Sequence, residues 1–104
     1  MSKKKKRMRP DDRRDLILKS ALELATRGHY TTITRDQIAE HADVSVGLVT
    51  RYFGTMPQLK RDVMRAAIRA EALPIIAHGL AIQDPHAQKA PSDLKQRAAA
   101  LLCS

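Results

Sequence analysis

The sequence is poor in aromatic side chains. Tyr30, Tyr52 and Phe53 are the only ones in 104 residues, and tryptophan is absent. A core must therefore come from Leu, Ile, Val, Met and Ala, a composition that favours packed helices. Cysteine is nearly absent too. Cys103 stands alone, so an intrachain disulfide is impossible and a reducing, cytoplasmic setting is expected. Long apolar runs are missing as well. The longest, Ala72 to Ala77 and Ala98 to Cys103, fall far short of the ~20 residues that span a bilayer, so no membrane role is expected. The cationic start does not lead into the apolar stretch of a secretory leader, because residues 10 to 14 read PDDRR. No internal repeat and no alternating strand pattern emerges.

What the chain does have is an asymmetric charge. Residues 2 to 9 read SKKKKRMR, and Lys3, Lys4, Lys5, Lys6, Arg7 and Arg9 carry six positive charges with no acid among them. The net charge is +8, yet from residue 10 onward 13 basic residues face 11 acidic ones. The body is almost neutral and the arm carries the field, which suits a polyanionic partner such as DNA, RNA or an acidic membrane face. Hydrophobic residues make up 43% of the chain, a globular proportion. A domain of this size buries about two-thirds of its unfolded surface, so dimerisation would help it.

Helical signals succeed one another along the body. Asp11 and Asp12 suit a helix N-terminus, and DDRRDLILKSALELATRG follows unbroken to Gly28. Ile17, Ala21, Leu24 and Ala25 share one face, with Leu18 and Leu22 beside them. Thr34 and Gln37 fit a capping box for a short helix over residues 35 to 42. Asp43 falls where a tight turn needs a left-handed residue, and Ser45 can cap a third helix, VGLVTRYF. At about 100° per residue, Val46, Gly47, Thr50 and Arg51 fall within one arc of that helix, and Leu48, Val49, Tyr52 and Phe53 within the other. The second arc is the core face; the first is thin, mostly small and poor for packing. Thr55 and Gln58 form a second capping pattern with Pro57 in the first turn. The helix it opens bears a wide stripe of Leu59, Val63, Ala66, Ala67 and Ala70, flanked by Met64 and Ile68. Pro74 restarts or kinks it, PIIAHGLAIQ continues as a helix weakened by Gly79, DPHAQKAP reads as a loop, and DLKQRAAALLC as a final short helix.

Two helices of about eight residues joined by a three- or four-residue turn follow helix-turn-helix logic, in which the second helix enters the major groove and the first braces it. The residues GHYTTITRDQIAEHADVSVGLVTRYFGTMPQL also resemble the DNA-binding domain of tetracycline-repressor-type (TetR) regulators. Gly28 with Tyr30, Thr31 and Thr32, Ile38 and Ala39, Ala42, Val44 and Ser45, Gly47, Tyr52 and Phe53, and Leu59 carry the resemblance, which extends over residues 11 to 70. It implies that the third helix reads DNA and the fourth leads to a dimerising region. Where Thr50 and Met56 stand, the family usually has Tyr and commonly Lys, residues that typically touch the DNA backbone; Lys60 lies one turn after Met56. Family members generally add a long helical domain with an effector pocket, whereas only 30 residues follow Pro74 here. A drug-sized pocket within one subunit is therefore not expected.

The fold expected is all-α: a basic arm over residues 1–10, a three-helix helix-turn-helix domain over 11–55, and a longer helix with a short helical dimerisation segment over 56–104. The function expected is sequence-specific binding of double-stranded DNA as a homodimeric repressor in the bacterial nucleoid. DNA contact falls to Arg35, Ser45, Val46, Gly47, Thr50, Arg51, Tyr52 and Lys60, with the arm residues Lys3 to Lys6, Arg7 and Arg9 on phosphates. For Gly47 the bland alternative is close packing of the second and third helices; for Arg51 and Thr50 it is simple exposure. Dimer contacts fall to Val63, Ala67, Ile68, Ile75, Ile76, Leu80, Leu101 and Leu102. His29, His41, His78 and His86 lack metal-ligand spacing, and Cys103 has no catalytic partner, so no metal, cofactor or enzymatic activity is expected. The competing reading is an architectural or DNA-segregation protein that coats DNA with little sequence preference.

Overall fold

A computed structural model describes residues 10–28 and 32–103; the arm residues before Pro10, and His29, Tyr30 and Thr31, lie outside them. The elements within that range are α1 (Pro10–Arg27), α2 (Arg35–Ala42), α3 (Val46–Phe53), α4 (Met56–Arg69), α5 (Leu73–Ala81), α6 (Pro85–Gln88) and α7 (Ser92–Cys103). Among the described residues there is no strand. The chain is all-α, with a helix-turn-helix unit leading into further helices.

Local chemistry fixes the boundaries of the first half. Thr34 Oγ1 accepts from the Gln37 amide at 3.1 Å and Gln37 Oε1 accepts from the Thr34 amide at 3.0 Å, closing the capping box of α2. The same reciprocal pair joins Thr55 and Gln58 at the start of α4. Ser45 Oγ accepts from the Leu48 amide at 3.1 Å and opens α3. Between α2 and α3 the chain reverses at Asp43, whose φ of 59° lies in the left-handed region. Val44 N–H then bonds back to the Ala39 carbonyl at 2.9 Å, and Asp43 N–H to Glu40 at 3.2 Å. This is the Schellman arrangement, which satisfies carbonyls that a helix end would leave unpaired.

Helices α4 and α5 stop in the same way without a glycine. Glu71 and Gln83 have φ of 56° and 58°. Ala72 N–H reaches Ala67 O at 2.8 Å, and Asp84 N–H reaches Gly79 O at 2.8 Å. A left-handed L-residue costs about 1–2 kcal/mol, so the carbonyls satisfied at each end must offset that cost.

One continuous core holds the helices together. Ile17, Ala21 and Ala25 from α1, Ile38 from α2, Val49 from α3, and Leu59, Val63 and Met64 from α4 are completely buried. Ile75 and Ile76 from α5, Ala87 from α6 and Ala98 from α7 extend it. Ser20 is buried among them, a position the apolar pattern did not mark. Leu22 and Leu24 are only half-buried at the edge.

Three expectations need correction. The DPHAQKAP stretch is not all loop, because Asp84 Oδ1 accepts from the His86 amide at 2.8 Å and Pro85 starts the one-turn helix α6. Gly79 is not a weak point of α5 but a contact point. A Cβ placed there would lie 2.5 Å from Met64 Cε and 2.7 Å from Ala87 Cβ, so only glycine lets α5 approach α4 and α6 this closely. Ala70 lies outside the buried stripe, exposed at the C-cap of α4 where the helix has already ended.

Candidate nucleic-acid interface

Helix α3 has two chemically distinct sides. Val49 and Phe53 are buried, and Leu48 and Tyr52 are half-buried against the core. On the other side Ser45, Gly47, Thr50 and Arg51 are exposed, and Val46 is 40% exposed. The structure thus brings Ser45, Val46, Gly47, Thr50 and Arg51 onto one free surface, with Tyr52 at its edge. Among the described residues Arg51 makes no hydrogen bond or ion pair, so its guanidinium is available to an external acceptor.

Gly47 has open space on its outer side. A Cβ added there would meet nothing closer than Ser45 Oγ at 3.9 Å. Packing of α2 against α3 therefore does not require glycine, which removes the bland explanation. Gly47→Ala should raise stability by up to about 1 kcal/mol through helix propensity. The added methyl should nevertheless weaken DNA binding, by about 1–3 kcal/mol if it must be accommodated in a close-packed interface. Thermal melts and DNA titrations of the one variant should thus move in opposite directions.

The helix is held from three sides. Arg14 of α1 places its guanidinium 4.9 Å from the centre of the Phe53 ring and its Nη2 3.6 Å from Asp62 Oδ2 on α4. One side chain therefore ties α1 to the end of α3 and to α4. Asp62 also lies 3.5 Å from Arg61 Nε. Glu23 of α1 and His41 of α2 meet at 2.8 Å. That hydrogen bond holds the Glu23 carboxyl below its ordinary range, with the charges of His41, Lys19 and Arg27 acting in the same direction. Arg35, at the start of α2, donates from Nη1 to Thr50 Oγ1 at 3.0 Å and to the Gly54 carbonyl at 3.4 Å. The sequence reading missed these roles of Arg14 and Glu23. Their partners are distant in the chain, and no local spacing signals them.

Lys60 is half-buried and lines an open groove of about 500 Å³ between α4 and the α5–α6 turn, with Met56, Ile82 and His86. The arm residues Lys3 to Lys6, Arg7 and Arg9 fall outside the described residues. Of the dimer candidates, Val63, Ala67, Ile75 and Ile76 lie wholly inside the protomer's own core, Ile68 and Leu80 are half-buried against it, and Leu101 and Leu102 are exposed. The four core residues cannot meet a second subunit while the protomer stays folded. Among the described residues no group of three or more His, Cys, Asp or Glu is placed to hold a metal ion. Among the same residues no helix is long and apolar enough to cross a membrane.

A capped bracing helix, a left-handed turn and a second helix with one side buried and one side free form a helix-turn-helix, the arrangement that presents a helix to the major groove. Comparison with curated proteins and with solved structures gives no match. Comparison with family models gives the bacterial regulatory proteins of the tetR family over residues 17–63, the segment from the core of α1 to the middle of α4. Residues 17–63 of this chain thus match the helix-turn-helix DNA-binding domain of the tetR family of bacterial regulatory proteins.

Proposed function

We propose that the protein is a sequence-specific repressor that binds an inverted-repeat operator as a homodimer and blocks access of RNA polymerase. The observation that carries this reading is the free side of α3, where Val46, Gly47, Thr50 and Arg51 stand exposed on a helix whose other side is locked into the core. Small residues permit close approach, and one unpaired arginine supplies a donor fork that matches guanine O6 and N7. Two such helices related by a two-fold axis would address half-sites about one helical turn apart. Selection of bound duplexes from a random pool tests this directly. An inverted repeat with that spacing is the expected product; a pool that converges on no motif would overturn the proposal.

The dimer surface is proposed at the exposed end of α7. Leu101 and Leu102 are 46% and 48% exposed and adjacent, an arrangement that covering by a second copy would favour. Substitution of both by lysine should shift the protein to monomer in sedimentation. A dimer unaffected by this change would place the interface elsewhere. Repression is proposed to run without a small-molecule inducer, a reading supported by the burial of Met64, Ile75, Ile76, Leu94 and Ala98 in the core that joins α4, α5 and α7. One strong, saturable stabiliser in a thermal-shift screen of metabolites would contradict that.

The basic arm is proposed to lie along phosphates flanking the site. Each neutralised phosphate contributes about 0.9 to the slope of log K against log salt. Deletion of residues 2 to 9 should therefore weaken binding to all duplexes and flatten that slope while leaving site preference intact. An unchanged slope would remove the arm from the interface.

A further inference from the structure

Arg35 reaches from the first turn of α2 across to the free side of α3. Its Nη1 lies 3.0 Å from Thr50 Oγ1 and 3.4 Å from the carbonyl oxygen of Gly54, the C-cap of α3. A guanidinium has donors only, whereas a hydroxyl has one proton and two lone pairs. In this contact the Thr50 oxygen is therefore the acceptor, and its own proton must point elsewhere. Threonines inside helices commonly turn that proton back onto the carbonyl one turn earlier. Thr26 does so, donating to Leu22 O at 2.8 Å. Thr50 does not: among the described residues its hydroxyl has no partner besides Arg35, and the residue is exposed.

We infer that Arg35 acts through Thr50, fixing its hydroxyl as a hydrogen-bond donor aimed at DNA. The inference rests on the proposed role of α3. A hydroxyl that accepts from a cation is polarised, which strengthens its own O–H as a donor. A donor addresses phosphate oxygens or, in the major groove, purine N7, guanine O6 and thymine O4. It is mismatched to the amino groups of adenine and cytosine. Arg35 is then a positioning residue that sets the polarity of one point of readout, rather than itself an independent contact to a base or a phosphate. The second bond, to Gly54 O, anchors the guanidinium at the end of the same helix and limits how far it can swing away from Thr50.

The test is a double-mutant cycle on the full chain, using the duplex selected from a random pool. Affinities are measured for wild type, Arg35→Met, Thr50→Val and the double variant, with melting curves to establish that each is folded. Each single change is expected to cost roughly tenfold in affinity per half-site, the value of one charge-assisted hydrogen bond. The double variant is expected to lose about as much as Thr50→Val alone. Thr50→Ser, which keeps the hydroxyl, should retain the coupling to Arg35. A scan of the half-site with 7-deazapurines, 2-aminopurine in place of guanine, 5-methyl-2-pyrimidinone in place of thymine and single methylphosphonates should reveal one acceptor position to which wild type is sensitive and Thr50→Val is not. Losses that multiply to about a hundredfold per half-site in the double variant would mean that Arg35 makes its own contact, and would overturn the inference. So would a Thr50→Val protein that binds as tightly as wild type, or the absence of any acceptor position lost with Thr50. Failure of the pool to yield a site would instead defeat the proposed function, so the two failures are distinguishable.

Discussion

Replacing Arg51 by alanine should weaken binding to the selected operator by roughly 1–3 kcal/mol per half-site. In a two-fold complex the loss is incurred twice, so about 2–6 kcal/mol is expected for the dimer, or at least an order of magnitude in affinity. Stability should scarcely move. Arg51 is exposed and, among the described residues, makes no hydrogen bond or ion pair, and surface substitutions of that kind stay within about 0.5 kcal/mol. The loss should also be selective. Scrambled duplex, held by phosphate contacts, should lose less than the operator, and tolerance should widen at the base pair that Arg51 addresses. A uniform loss across all sequences would reassign Arg51 to the phosphate backbone.

The second large effect is on stability and comes from Gly54, the residue that turns α3 into α4. Its φ of 76° and ψ of −133° lie where L-residues rarely go. A Cβ there would also collide with the Gln58 side chain. Gln58 Oε1 accepts from the Thr55 amide at 2.9 Å, so the collision falls on the group that caps α4. Backbone strain of this kind costs about 1–3 kcal/mol, and a damaged cap about 1 kcal/mol more. Gly54→Ala should lower stability by some 2–4 kcal/mol, and each kcal/mol corresponds to roughly 4–8 °C in a domain of this size. DNA binding should fall as well, even below the melting transition. The Gly54 carbonyl anchors Arg35, and a shift there alters the pose of Thr50. A melting temperature unchanged by this substitution would show that the α3–α4 corner is more adaptable than its geometry implies.

The contrast between Gly47 and Gly54 shows what a sequence does and does not reveal about such a site. Both are glycines at the ends of one helix, and in the sequence both are simply glycines. The structure separates them: the first has open space around it and the second has none. The helix-turn-helix itself was legible because its determinants are local. Thr34, Gln37, Asp43, Ser45, Thr55 and Gln58 act within four residues of their partners, and the division of α3 into two arcs follows from periodicity alone. Helices α2 and α3 accordingly begin and end where those residues place them.

What was not legible depends on groups that meet through the fold. The apolar stripe of α4 looked wide enough for a second subunit. Instead α5 and α6 pack against α4, and Val63, Ala67, Ile75 and Ile76 are consumed in one protomer. Arg14 over Phe53, Glu23 with His41, and Arg35 with Thr50 join residues far apart in the chain. The left-handed ends at Glu71 and Gln83 carry no glycine to announce them. Asp43 was readable only because the turn length demanded such a residue there.

The free side of α3 is proposed to read base sequence, not merely phosphate charge. The most direct measurement is the ratio of affinities for the selected inverted repeat and for a scrambled duplex of the same length, at one fixed physiological salt concentration. A ratio of about 10³ or more is expected of a regulator. A ratio near one would contradict the account and favour a protein that coats DNA through its basic arm.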